Sequence, residues 1–200
     1  MGRFLGALGV AMLLCSLPGR SQVIAFESNG LKYQTLTKSG VTVIFATLPS
    51  RLHAYAIFQV SIANGSPGPY MIRPEDFTFD RGGGAALRGS AASEVIRHLV
   101  QRSSSGDVLK LVSAYEASLY GVPNMRSTNG YEQRREAALL FGPARLRAAA
   151  AASAVALVQT KIGPGQSTDG AVFFPTDGKP LGPGRLIVRT NTDTFEFNPE

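Results

Sequence analysis

The chain has 200 residues, with 20 lysines and arginines against 14 acidic residues, two histidines and one cysteine. That length suits one domain able to bury a core without covalent staples, and a lone cysteine excludes an intramolecular disulfide and a thiolate metal cluster. The net charge of +6 and pI ≈ 9.8 direct attention to acidic partners.

Arg3 precedes an uncharged stretch, Phe4 to Leu17 (FLGALGVAMLLCSL), that ends at Pro18-Gly19. At about 1.5 Å per residue the stretch reaches roughly 21 Å, short of the ~30 Å needed to span a bilayer. A basic start, a short apolar run and a helix-breaking end describe a secretory signal peptide, residues 1–21, with cleavage after Ser21 or as late as Ala25. A lipoprotein reading of Cys15 is disfavoured by the bulky Met12-Leu13-Leu14. Removal of the leader takes away the only cysteine, and with it any disulfide-linked oligomer. It also removes Arg3 and Arg20, leaving 18 basic and 14 acidic residues. The expected location is extracytoplasmic: periplasmic, envelope-associated or secreted.

Residues 22–200 then read as one domain. Segments 41–48 (VTVIFATL) and 55–63 (YAIFQVSIA) are β-branched and aromatic, and Phe58, Val60 and Ile62 alternate with Ile57, Gln59 and Ser61. The cluster Asn64-Gly65-Ser66-Pro67-Gly68-Pro69 is a turn; Asn64-Gly65-Ser66 is formally a glycosylation sequon, but the turn is the simpler account. Phe77 and Phe79 alternate in a third strand. The glycines at 82–84 are read as a hinge.

Beyond them the period becomes helical. Ala92, Val95, Ile96, Leu99 and Val100 share one face, as do Val108, Leu111, Val112, Tyr115 and Leu119, with Ser103 to Gly106 between the two helices. A loop at 121–130 leads to a third helical stretch broken by Gly142-Pro143, since proline lacks the amide donor and clashes with the preceding turn. Strand patterns return from Leu157 through ALVQTKI, GAVFF, GRLIVRT and TDTFEF. In KIGPGQSTDGAVFFPTD, Pro164-Gly165 turns the chain, Gly170 opens the next strand, and Phe173 and Phe174 supply an aromatic to each face. Strands, helices, then strands around one core imply a mainly β fold: an antiparallel β-sandwich with an α-helical insertion at about 88–156.

The motifs Val41-Thr42-Val43, Asn64-Gly65-Ser66 and Pro164-Gly165 through Gly170-Ala171-Val172-Phe173-Phe174 resemble those of bacterial secreted immunoglobulin-like (telokin-like) β-sandwich domains. The likeness spans about residues 30–80 and 157–198, and the helical middle departs from it. It implies an immunoglobulin-like sandwich and, since most of that family has no assigned activity, little about function.

Signals for catalysis are sparse. Glu94 and His98 stand one helical turn apart, with no third ligand at a recognisable spacing, so a surface pair is the better account and no metal is expected. The serines form no GxSxG elbow, Glu75 and Asp76 diverge if extended, and Gly82–Gly84 lacks the context of a phosphate cradle. No cofactor is expected. Charge is more informative: residues 88–147 hold nine basic and five acidic residues, while the flanks nearly cancel. For an exported chain this favours an envelope protein or anionic surface over nucleic acid. The alanine run Ala148–Ala152 is too short to span a membrane and suits close packing. The resulting expectation is a non-catalytic interaction module contacting its partner through Arg126, Asn129, Tyr131, Arg134 and Arg135. The alternative is an enzyme or small-ligand binder with a site between insertion and sandwich that uses His53, His98 or the acidic pair.

Overall fold

The computed structural model describes residues 22–198 apart from 50, 51, 53, 103, 121–130 and 140–143. Four strands open the chain: β1 (Ile24–Ser28), β2 (Leu31–Lys38), β3 (Val41–Thr47) and β4 (Tyr55–Asn64). Then come β5 (Tyr70–Ile72), a 3-10 turn at Pro74–Asp76, β6 (Phe77–Asp80) and β7 (Leu87–Arg88). The helices are α1 (Ala92–Arg102), α2 (Ser105–Leu119), α3 (Tyr131–Leu139) and α4 (Ala144–Val155). The chain closes with β8 (Thr160–Ile162), β9 (Ser167–Pro175), β10 (Arg185–Arg189) and β11 (Thr194–Phe197).

The fold is mainly β, with a five-stranded antiparallel sheet ordered β1-β2-β3-β4-β9, a four-stranded one ordered β11-β10-β6-β7, and the pair β5-β8. The C-terminal strand β9 lies along β4 from Tyr55↔Pro175 to Ala63↔Ser167, so the two ends of the sequence share one sheet. Strand alternation explains the layering. Phe58, Val60 and Ile62 of β4, with Val43, Phe45, Val172 and Phe174, face Phe77, Phe79, Leu186, Val188, Phe195 and Phe197 of the smaller sheet. Ile57 and Phe173 point the other way, where they meet Val95, Leu99, Leu111, Tyr115 and Val155 of the helices. β4 is buried on both faces, which is why its sequence reads as a nearly unbroken apolar run. The helices therefore form a third layer on the outer face of the larger sheet.

Several expectations change in detail. β1 and β2 were not foreseen, although Asn29-Gly30 is a strong short hairpin signal; Asn29 (φ 49°) and Gly30 (φ 73°) make that turn, and Ser39 and Gly40 make the next. Gly82–Gly84 lies in the loop between β6 and β7, so it is a hairpin connection and not the hinge into the helices. Gly170 sits inside β9 instead of opening it: a Cβ there would stand 2.5 Å from Leu157 Cα. β8, which precedes the Pro164-Gly165 turn, pairs with β5 and not with β9. The sequon is a turn. Asn64 is buried, donates to Gly68 O (2.8 Å) and Ile162 O (3.0 Å), and accepts from Ser66 N (3.0 Å).

The helical layer is assembled with local logic. Ser104 caps α2, accepting from Asp107 N while the Asp107 carboxylate accepts from Ser104 N. Helix α4 lies against α1, α2 and α3; Ala152 and Ala154 are buried, their small side chains letting it approach closely. Among the described residues no helix is long and apolar enough to cross a membrane.

Candidate functional site: the polar seam beneath the helices

Polar side chains collect where the helices cover the larger sheet. On β4, Gln59 and Ser61 follow Ile57 on the helix-facing side, and Asp169 of β9 stands opposite Ser61. All three are essentially inaccessible to solvent. Gln59 Nε2 donates to Ser61 Oγ at 2.7 Å. Tyr115 of α2, also fully buried, donates its hydroxyl to Asp169 Oδ2. Burial pushes the Tyr115 phenol well above its usual range, and the charge of Asp169 and its hydrogen bond push the same way, while the Arg134 guanidinium opposes them.

The seam extends onto α3. Tyr131 is 2% exposed, donates to Glu116 Oε1 at 2.8 Å, and packs its ring 5.3 Å from that of Tyr115. Arg134 is half-buried, and its Nε and Nη2 are inaccessible and make no hydrogen bond among the described residues. Further along α2, Ser118 O accepts from Tyr33 Oη of β2 at 2.8 Å. The seam thus runs across the sheet from β9 to β2.

This arrangement redistributes the expected contact residues. Tyr131 is buried against Tyr115 and Glu116 of α2 and presents no ring to a partner, and Arg134 is half-buried. Arg135 belongs to α3 by its backbone, its side chain lying outside the described residues, as do Arg126 and Asn129 altogether. Gln59, Ser61, Tyr115 and Asp169 were not foreseen as a site. The available signal was polar interruption of apolar strands, Gln59 and Ser61 in YAIFQVSIAN and Asp169 ahead of GAVFF.

Two further places bear on chemistry. Tyr55 Oη and His98 Nδ1 are 2.7 Å apart, and burial raises the Tyr55 pKa, with Glu94 adding to the rise and Ser90 hydrogen bonding opposing it. Glu94 and His98 thus gain a tyrosine neighbour; among the described residues no three His, Cys, Asp or Glu side chains cluster as a metal site would require. His53 lies outside the described residues. The acidic pair is separated in role: Asp76 is buried and accepts from Arg73 N (2.9 Å) and Arg73 Nη2 (3.0 Å), holding the 3-10 turn. A groove of about 530 Å³ opens at one end of the larger sheet, lined by Leu31, Lys32, Gln34, Phe45, Thr47 and Leu181, among others.

Comparison of the chain with protein-family models, with curated proteins and with solved structures finds no match. The functional reading therefore stands on geometry and residue chemistry.

Proposed function

We propose that the protein is an extracytoplasmic, non-catalytic interaction module: an immunoglobulin-like sandwich, released from a signal peptide at residues 1–21, whose helical layer rests on an anionic envelope surface. The observation that carries this reading is the outer flank of α2. Leu109 and Tyr120 are 68% and 69% exposed, and eleven residues of helix return to within about 20° of the same direction. Lys110, also exposed, lies beside them. An aliphatic and an aromatic anchor beside a lysine suit a helix lying in a membrane interface. The basic excess of residues 88–147 supplies long-range attraction. Cleavage after Ser21 fits this reading because Ile24 and Ala25 already pair with Thr35 and Gln34 in β1.

The test is co-sedimentation of the secreted protein with phosphatidylglycerol vesicles and with neutral phosphatidylcholine vesicles, at low and high salt. The Leu109→Ser/Tyr120→Ser variant should lose more than about tenfold in affinity, since burying each side chain is worth about 1.5–3 kcal/mol, with little change in melting temperature. Equal retention of wild type and variant on both vesicle types would overturn the reading. A second reading, small-ligand binding, draws on the 530 Å³ groove, a volume suited to a small molecule. It differs from the expected ligand site in being lined mainly by side chains on the opposite face of the larger sheet, among them Gln34, Phe45 and Thr47, and Thr47→Trp at its exposed rim would block it.

A further inference from the structure

The helix-facing side of the larger sheet is zoned. Toward α1 it is apolar: Leu48, Ile57 and Phe173 share one cluster with Val95 and Leu99, a cluster that also takes in Leu111 and Tyr115 of α2. Beneath α2, around Tyr115, it is polar, with Gln59, Ser61 and Asp169. The register carries the same face on through Thr35, Thr37, Thr42 and Ser167, with Ile44 and Ala63 between them, all half-buried or exposed. The covered polar zone therefore borders a more open one that is rich in hydroxyl groups and interrupted by Ile44 and Ala63. The opposite face of the same strands, against the smaller sheet, is apolar along β4 from Phe58 to Ile62.

A permanently closed interface gains nothing from buried polar groups, since well-packed apolar replacements of buried ion pairs are often neutral or stabilising. Interfaces that open are more polar than domain cores. The closed seam also leaves hydrogen-bonding capacity unused: Gln59 Oε1 and two nitrogens of Arg134 are buried without a hydrogen bond among the described residues, a deficit that water would relieve. We infer that the helical layer is a lid that opens from its α2–α3 end, with the Tyr115–Asp169 hydrogen bond as its latch, while α1 stays anchored on the apolar zone. Opening bares a strip of amide, hydroxyl and carboxylate groups along β4 and β9 and leaves the inter-sheet core intact.

The test places a thiol on each side of β4 in the full chain carrying Cys15→Ser, which removes the only native cysteine. Ser61→Cys reports the seam and Val60→Cys the inter-sheet core. Under native conditions Ser61→Cys should react with a thiol reagent at least tenfold faster than Val60→Cys. Adding Tyr115→Phe should speed the seam thiol by a further tenfold or more relative to the core thiol. Equal rates for the two thiols, moving together when the latch is removed, would mean that the seam opens only on global unfolding and would overturn the proposal. Amide exchange of the unmodified chain gives an independent reading if either cysteine variant fails to fold. Amides of α2 should then exchange with a weaker denaturant dependence than those of β4, whereas identical dependence would overturn the lid.

Discussion

Replacing Tyr115 by Phe removes one hydroxyl from the seam and leaves the ring in place, so no cavity contributes. The loss is the hydrogen bond to Asp169, a carboxylate shielded from solvent. Hydrogen bonds to charged groups are worth about 1.5–3 kcal/mol, and stripping a buried charge of a partner costs about 3–5 kcal/mol. The Tyr115→Phe variant should therefore destabilise by about 2–3 kcal/mol. For a chain of this size that is a fall of about 5–10 °C in melting temperature. Asp169→Leu alone should be similarly harmful, because it strands the buried Tyr115 hydroxyl. The double variant Tyr115→Phe/Asp169→Leu should be less destabilised than the sum of the singles by at least about 1 kcal/mol, the signature of direct coupling. The chain has no tryptophan, so urea unfolding is best followed by far-ultraviolet circular dichroism. Additive singles, or a Tyr115→Phe effect below about 0.5 kcal/mol, a size typical of exposed positions, would refute the latch energetics.

Alkaline pH should act through the same phenol. Its raised pKa means that the protonated form is favoured in the fold, so stability is intact below the unfolded value of about 10 and falls as pH rises toward the folded one, at up to about 1.4 kcal/mol per unit. Tyr33, Tyr55 and Tyr70 shift the same way through burial, and a flat urea midpoint between about pH 9 and 11 would contradict this. Gly170→Ala should cost about 2–3 kcal/mol, since its Cβ would meet Leu157 Cα at 2.5 Å and Leu157 N at 2.7 Å, both backbone atoms; a melting temperature matching wild type would refute the close approach. Asn64→Ala should cost about 2 kcal/mol by removing the donor to Ile162 O and one of the two donors to Gly68 O, which keeps Ser66 Oγ, and intact-mass analysis after expression in a glycosylating host should find no glycan on Asn64.

What local sequence determined was element type. The alternation in YAIFQVSIAN and FTFD marks strands wherever it is placed, and the 3.6-residue period of Val95, Leu99, Leu111 and Tyr115 marks helices, because both follow from backbone geometry acting over a few residues. Phe173 and Phe174 reach opposite cores for the same reason. The hairpin glycine Gly30 was legible too, through its neighbour Asn29. Partner choice between elements was not. That β9 joins β4 while β8 joins β5, and that Gly170 lies in mid-strand against Leu157, depend on contacts between residues far apart in sequence. The basic insertion shows the limit most clearly. Tyr131 and Arg134 were expected on a contact surface, yet Tyr131 is buried against Tyr115 and Glu116 and Arg134 is half-buried. Sequence sets which side chains carry charge; only tertiary structure decides which of them still face the solvent, because burial and pairing are properties of the whole packed chain.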